Sequence, residues 1–196
     1  SKALSIGVSV QPVFIFDTQI LTKLADEDDA RVTFIYEQLK ILNASLAKYN
    51  GAIAVYHDNP LDAWKKIITD FQPEAVYYNR DYEPYAIERD EKVSIFLKTQ
   101  QIASYSFKDQ VIFEKDDLLK LDGRPYTVFT PYKNKWIERL TNDDLKDNKV
   151  AEQLKNIRPF AWQLPDLSAL GFTPTKQKFP NKEYKSVMVD YHDTRD

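Results

Sequence analysis

The sequence contains no cysteine, which excludes disulfides, thiolate metal sites and a cysteine nucleophile. It has two histidines, His57 and His192, leaving little from which to build a catalytic triad or a zinc site. Its four glycines stand apart at positions 7, 51, 123 and 171, so no Gly-rich loop exists to cradle a phosphate, and a P-loop nucleotide hydrolase is excluded. An excess of basic charge is missing as well: 27 Lys and Arg stand against 30 Asp and Glu, for a net charge of −3. Binding a phosphate backbone needs clustered Lys and Arg, so the chain alone is expected to bind DNA poorly. No apolar run is long enough to span a bilayer, and no signal peptide opens the sequence. A soluble, cytoplasmic protein with no membrane partner is the expectation.

What is present is globular. The 196 residues are 43% hydrophobic and 13% aromatic, enough to bury most of a central sheet. The run Val10 to Phe16, ending at Asp17, is apolar on both faces, as suits a buried parallel strand. After the acidic stretch Asp26 to Asp29, apolar residues recur by threes and fours at Val32, Ile35, Leu39, Leu42, Leu46 and Tyr49, which predicts a helix capped by Asp28 or Asp29 and ended near Gly51. A second strand follows over Ala52 to Tyr56. Asn59-Pro60 supplies an N-cap and a first-turn proline for a helix burying Leu61, Trp64, Ile68 and Phe71. A third strand, Ala75 to Tyr78, ends at Asn79; Pro84 opens a helix to about Gln100 with Val93, Phe96 and Leu97 inward. Ile102 to Phe107 reads as a fourth strand and Val111 to Phe113 as a short fifth. Strand and helix alternating at this spacing predict an α/β fold, a Rossmann-like parallel sheet flanked by helices. Ligands of such sheets sit at the carboxyl ends of the strands, here Phe16-Asp17, His57-Asp58, Asn79 to Asp81 and Lys108-Asp109. Beyond the Asp122-Gly123 turn the pattern weakens. Short helices are predicted over Lys133 to Leu140 and Asn148 to Ile157, and from Arg158 onward four prolines and no period suggest an extended connector.

The acids at 26–29 are more simply a solvated cap that favours the helix dipole than a metal site, which needs oxygens converging from several elements. A lone histidine at a strand end, His57, is more often an ordinary surface or packing residue than a ligand contact. The segment Asn79-Arg80-Asp81-Tyr82-Glu83-Pro84-Tyr85-Ala86 carries the most information. It lies between a buried strand and a helix N-terminus, where Asn79, Asp81 and Glu83 can hydrogen-bond a heterocycle and Tyr82 or Tyr85 can stack on it. A polar strand-to-helix loop with capping carboxylates accounts for the same residues equally well.

That segment, with Arg89-Asp90 after it, closely resembles the DNA photolyase/cryptochrome family. So do Pro12 to Asp17 followed by Ile20-Leu21 and Ala30-Arg31-Val32, and the run Gly123-Arg124-Pro125-Tyr126-Thr127-Val128-Phe129-Thr130-Pro131-Tyr132 with Trp136. The three motifs occur in the family's order and spacing, over about Lys2 to Leu140. The rest resembles the family's interdomain connector, and Tyr191 to Asp196 the last residues before its helical flavin domain.

The resemblance implies a division at about residue 140: an α/β antenna domain over 1–140, then a C-terminal connector over 141–196 leading to an FAD-binding helical domain outside this sequence. It implies membership of a bacterial class I deoxyribodipyrimidine photolyase, a carbon-carbon lyase. In this family, light-excited FAD in that second domain donates an electron to split a pyrimidine dimer in damaged DNA, and the α/β domain binds a light-harvesting antenna. An antenna transfers excitation energy and needs no acid, base or nucleophile, so no catalytic residue is expected here and the chain alone is expected to be inactive. The antenna contacts implied are Phe16 and Asp17 on one side, Arg31 toward a phosphate or anionic oxygen, and Asn79, Asp81 and Glu83 at the ring's polar edge. For Arg31, an ion pair with the acids at 26–29 is the competing expectation. Folate-binding members carry Asn-Glu where this chain has Tyr85-Ala86, which favours FMN or a deazaflavin, or no antenna, over folate. The family's first strand, ending in a Phe-Arg-Arg-Asp-Leu-Arg-like run, is not found in this sequence, whose start resembles the helix after it; the strand either precedes Ser1 or is replaced by another element. The aromatic run Tyr126 to Tyr132 is expected to pack between domains and, when uncovered, to promote self-association. A cryptochrome-like blue-light photoreceptor and an unrelated nucleotide-binding α/β module are the alternatives.

Overall fold

Three of the four strands follow from a short apolar run closed by a polar residue, Asp17, Asp58 or Asn79. A computed structural model of the chain describes residues 2–146 and 150–179. The elements are α1 (Lys2–Ser5), β1 (Val13–Asp17), α2 (Thr18–Leu21), α3 (Ala30–Ala47), β2 (Ala54–Asp58), α4 (Pro60–Phe71), β3 (Ala75–Asn79), α5 (Pro84–Thr99), β4 (Ala103–Phe107) and α6 (Phe129–Arg139), with 3-10 turns at Lys115–Asp117, Ala151–Asn156 and Leu167–Leu170. This is the α/β alternation expected. β1 pairs parallel with β2, and β3 parallel with β4. Among the described residues these are two separate two-stranded ladders, where a single sheet was expected. By its contacts the chain forms two units, and each is interrupted in sequence: one comprises residues up to Val10 with Asn59–Ile157, the other Gln11–Asp58 with the chain from Arg158 onward.

In the unit that holds β3 and β4, local chemistry sets the helix ends. Asn59 caps α4 by accepting the Asp62 N–H at 3.1 Å, and Pro60 fills the first turn, where no intrahelical donor is needed. Gln72 closes α4 in the left-handed region, φ 47°, and sends its N–H to the carbonyl of Ile68. Val76, Val93, Leu97 and Ile102 form the core, with Leu61, Trp64 and Ile68 packed against it from α4. Ala63 and Ile67, which periodicity did not single out, are buried on α4 together with Pro60. Val10 bridges to Ile157 and donates its N–H to the Asn156 carbonyl, while the Asn156 amide donates to Leu4 O at 2.8 Å.

Three expectations in this unit need correction. Val111 to Phe113 forms no strand but a bend, and the 3-10 turn at Lys115–Asp117 follows. The helix predicted from Lys133 starts at Phe129, because Pro131 falls in the first turn, where a missing N–H costs nothing. The segment predicted helical over Asn148 to Ile157 is a 3-10 turn over Ala151–Asn156, and residues 148 and 149 lie outside the described residues.

In the other unit, Asp29 caps α3 by accepting the Arg31 N–H at 2.8 Å. The buried line of α3 is Val32, Leu39 and Leu46, spaced by sevens and so nearly aligned along the helix. Ile35, Leu42 and Tyr49 were expected inside but are exposed, together with Phe34 and Ile41. A single line of contacts suffices to seat the helix, and its second apolar face turns outward. Asn50, not Gly51, takes the left-handed position after α3, at φ 59°. The proline-bearing stretch after Arg158 is built into this unit. Phe160 donates its N–H to Asn50 O and Thr173 to Glu27 O, Trp162 lies 5.6 Å from the Tyr56 ring, and Leu167, Leu170 and Phe172 are buried. The motif at Tyr191 to Asp196 lies outside the described residues.

Candidate functional site at the strand ends

The segment singled out in the sequence begins where β3 stops. Asn79 is the last residue of β3, opposite Phe107 on β4, and is exposed. Asp81 folds back on its own loop: its Oδ1 accepts the N–H of Tyr82 at 2.6 Å and of Glu83 at 3.3 Å. Such an Asx-type turn delivers the chain to the start of α5. Glu83 occupies the N-cap of α5 but makes no side-chain cap hydrogen bond, so its carboxylate stands exposed at the helix N-terminus.

Arg80 ties this loop to its surroundings. One Nη donates to both the carbonyl and the hydroxyl of Ser106 at 3.0 Å, and the other meets Glu114 Oε1 at 2.8 Å. Its Nε is buried without a hydrogen-bond partner. Tyr82 donates its hydroxyl to the second oxygen of Glu114 at 2.9 Å. Burial first, then the Glu114 carboxylate, raises the Tyr82 phenol above its ordinary value; Tyr78 is raised chiefly by burial and then by the charge of Asp90. Beside Arg80 and Asp81 opens a cleft of about 270 Å³, walled by Tyr78, Asp90, Ser94 and Ile95. A second hollow, of about 340 Å³ over Lys65 and Asp70 on α4, touches no predicted site residue.

The remaining predicted residues belong to the other unit. Phe16 is 4% exposed, with its ring edge-on to Phe14 at 5.0 Å, so it packs as core and offers no open ring face. Asp17 is also buried and accepts the Gln19 N–H at 2.9 Å, capping α2. Arg31 is tied to Asp29 by two side-chain hydrogen bonds, of 2.6 and 3.0 Å, which is the competing expectation for it. That pair lowers the Asp29 carboxyl to about 2. Glu114 was not found from the sequence. Its only local signal is the acidic spacing of Glu114 and Asp117, which form a reciprocal capping box.

The described residues contain no group of three or more His, Asp or Glu placed to hold a metal ion, and no helix long and apolar enough to cross a membrane. Residues 1–154 match the family model for DNA photolyase. The chain belongs to the DNA photolyase family. Among its relatives is a deoxyribodipyrimidine photo-lyase from a Synechococcus species, 32% identical over 167 residues, which cover 82% of this chain and 34% of that protein. A deoxyribodipyrimidine photo-lyase from Halobacterium salinarum is 27% identical over 88% of this chain and 35% of its own length. The fold matches the crystal structure of a bacterial class III photolyase from Agrobacterium tumefaciens with a TM-score of 0.70, at 22% identity, over 96% of this chain and 37% of that one. The chain thus spans about a third of the length of each of these relatives.

Proposed function

We propose that this chain is the antenna-binding portion of a deoxyribodipyrimidine photolyase that repairs pyrimidine dimers in damaged DNA, with residues 1–140 as the antenna domain and 141–196 as the connector to an FAD-binding domain. The observation that carries this reading is the family match over residues 1–154, with relatives that are themselves photo-lyases. FAD held by that further domain would supply the electron that splits the dimer. The present residues contribute binding and orientation of a pigment, in the cytoplasm.

The donor set around β3 suits the polar edge of a flavin or deazaflavin. That edge carries a ring N–H between two carbonyls. A carboxylate accepts the N–H, and an amide N–H donates to a carbonyl. Glu83 and Asp81 supply the carboxylates, Asn79 the amide, and all three are exposed at the strand end. In the other unit Arg31, 74% exposed at its side chain, would meet an anionic oxygen, with Phe16 and Asp17 fixing the strand end from within. FMN or a deazaflavin fits better than folate, because Tyr85 and Ala86 offer no carboxylate or amide.

The apolar residues Val128, Phe129 and Ile137 on and beside α6 are exposed, and we propose that this surface is covered in a longer protein and drives self-association when bare. Sedimentation of the chain against a Phe129→Ser variant tests it; equal monomer content at all concentrations would exclude self-association through this patch.

The test of the antenna reading is the near-UV and blue absorption of the purified chain before and after adding FMN or a deazaflavin. A band retained after desalting and lost on replacing Asn79, Asp81 and Glu83 together by Ala supports it. A folded chain that retains neither pigment sinks it.

A further inference from the structure

Glu114 lies 32 residues beyond Tyr82 in sequence, yet both its carboxylate oxygens hold the loop after β3. Oε1 meets Arg80 at 2.8 Å and Oε2 accepts the Tyr82 hydroxyl at 2.9 Å. These two residues flank Asp81. The Glu114 side chain is only 14% exposed, so the ion pair is largely shielded from water and screened little by salt.

Glu114 is itself fixed. Its carboxylate also accepts a backbone N–H of the 3-10 turn Lys115–Asp117, and its own N–H donates to Asp117 Oδ2 at 2.9 Å. Lys115, between them, sits at φ 44°, a backbone conformation that side-chain-bearing residues rarely adopt and that persists where the surroundings impose it. A guanidinium, a phenol and a backbone amide around one carboxylate occupy three of its roughly four acceptor sites and restrain its orientation.

The loop that Glu114 grips is also held at its start by the bonds of Arg80 to β4 and at its end by the first turn of α5. The N–H groups of Tyr82 and Glu83 both donate to the Asp81 side chain within the same loop. Beyond the loop, Arg80 reaches β4 through Ser106 and the Phe107 carbonyl. The tether between these ends, at Tyr82, runs through Glu114.

We propose that Glu114 is the positioning residue of the Asn79–Glu83 loop: by clamping Arg80 and Tyr82 it sets the Asp81 and Glu83 carboxylates in the arrangement a bound pigment meets. This rests on the antenna reading for the pigment, but not for the loop. Glu114 touches no ligand; it acts through Tyr82 and Arg80.

The experiment uses the full chain, with Glu114→Ala, Glu114→Gln and Tyr82→Phe. Three readouts are taken: amide exchange at Tyr82 and Glu83, the Tyr82 phenol titration followed by labelled-tyrosine NMR, and the Kd for FMN and for a deazaflavin. Glu114→Ala is expected to speed exchange at both amides roughly tenfold, to lower the Tyr82 titration midpoint, and to weaken pigment binding by a similar factor. Glu114→Gln keeps an acceptor for Tyr82 and is expected to restore part of each. A purely structural residue would change stability without this ordered recovery. If Glu114→Ala does not fold, Tyr82→Phe, which removes only the hydroxyl, carries the exchange test. Unchanged exchange in both variants overturns the proposal, as does unchanged pigment affinity in a loosened loop. If the wild-type chain binds neither pigment, the antenna reading fails, and faster exchange in the variants still upholds the clamp.

Discussion

The backbone N–H of Thr175 donates to the hydroxyl of Thr33 across 3.1 Å, joining residues 142 positions apart. Thr33 is one of the few buried polar residues, and its hydroxyl ties the chain after Arg158 to α3. Replacing it with the near-isosteric valine leaves the Thr175 N–H without that acceptor. Thr33→Val is expected to cost about 1 kcal/mol in urea unfolding and to release the Thr175 amide to exchange. Retained protection at Thr175 would show that another acceptor substitutes.

Leu97 is fully buried on α5, among Val76, Val93 and Ile102. Leu97→Ala removes three heavy atoms from a side chain that is fully buried. The expected loss is about 3 kcal/mol, read as a drop in denaturation midpoint at unchanged slope. A loss below about 1 kcal/mol would mean the core collapses onto the smaller side chain.

Gln72 ends α4 at φ 47°, a conformation that costs a side-chain-bearing residue about 1 kcal/mol. Its side chain makes no cap that glycine would forfeit, since the closing bond to Ile68 is from the backbone. Gln72→Gly is therefore expected to raise stability by about 0.5 kcal/mol, after the entropy that glycine adds to the unfolded chain. Calorimetry checks the sign; a lower Tm would show the Gln72 side chain to be held elsewhere.

Asp29 titrates at about 2, held down first by the Arg31 side chain, then by backbone N–H groups of the first turn of α3, against an opposing effect of burial. A carboxyl depressed in the folded state stabilises fully above its unfolded value of about 4, and the contribution is lost as pH falls through about 2. Carboxyl NMR should place the Asp29 midpoint well below the other aspartates. Arg31→Ala should move it toward the ordinary value, since the largest cause is then gone. A midpoint unmoved by that change would assign the depression to the cap alone.

Sequence legibility follows the range of the interactions. The caps at Asp29 and Asn59 were readable because each bonds a donor two or three residues away. The left-handed closures at Asn50 and Gln72 were not, because neither is the glycine that usually marks that conformation. The period of α3 overstated its buried face, since Ile35 and Leu42 fit the spacing as well as Leu39 does, and only the neighbours of the helix decide which line goes inside. At the candidate site, Asn79, Asp81 and Glu83 were visible as a polar run between strand and helix. Glu114 was not, because what distinguishes it is a pair of contacts made 32 and more residues away.

The unit that holds β1 and β2 is completed only from the far end of the chain, by Phe160 on Asn50, Trp162 on Tyr56 and Thr175 on Thr33. On a ribosome adding about 5–20 residues per second, β2 emerges on the order of ten seconds before Trp162 exists to cover Tyr56. Throughout that interval a nascent parallel ladder lies open along one flank, in reach of chaperones. A chain released from a ribosome stalled between Asp58 and Arg158 would carry β1 and β2 without the residues that complete their unit.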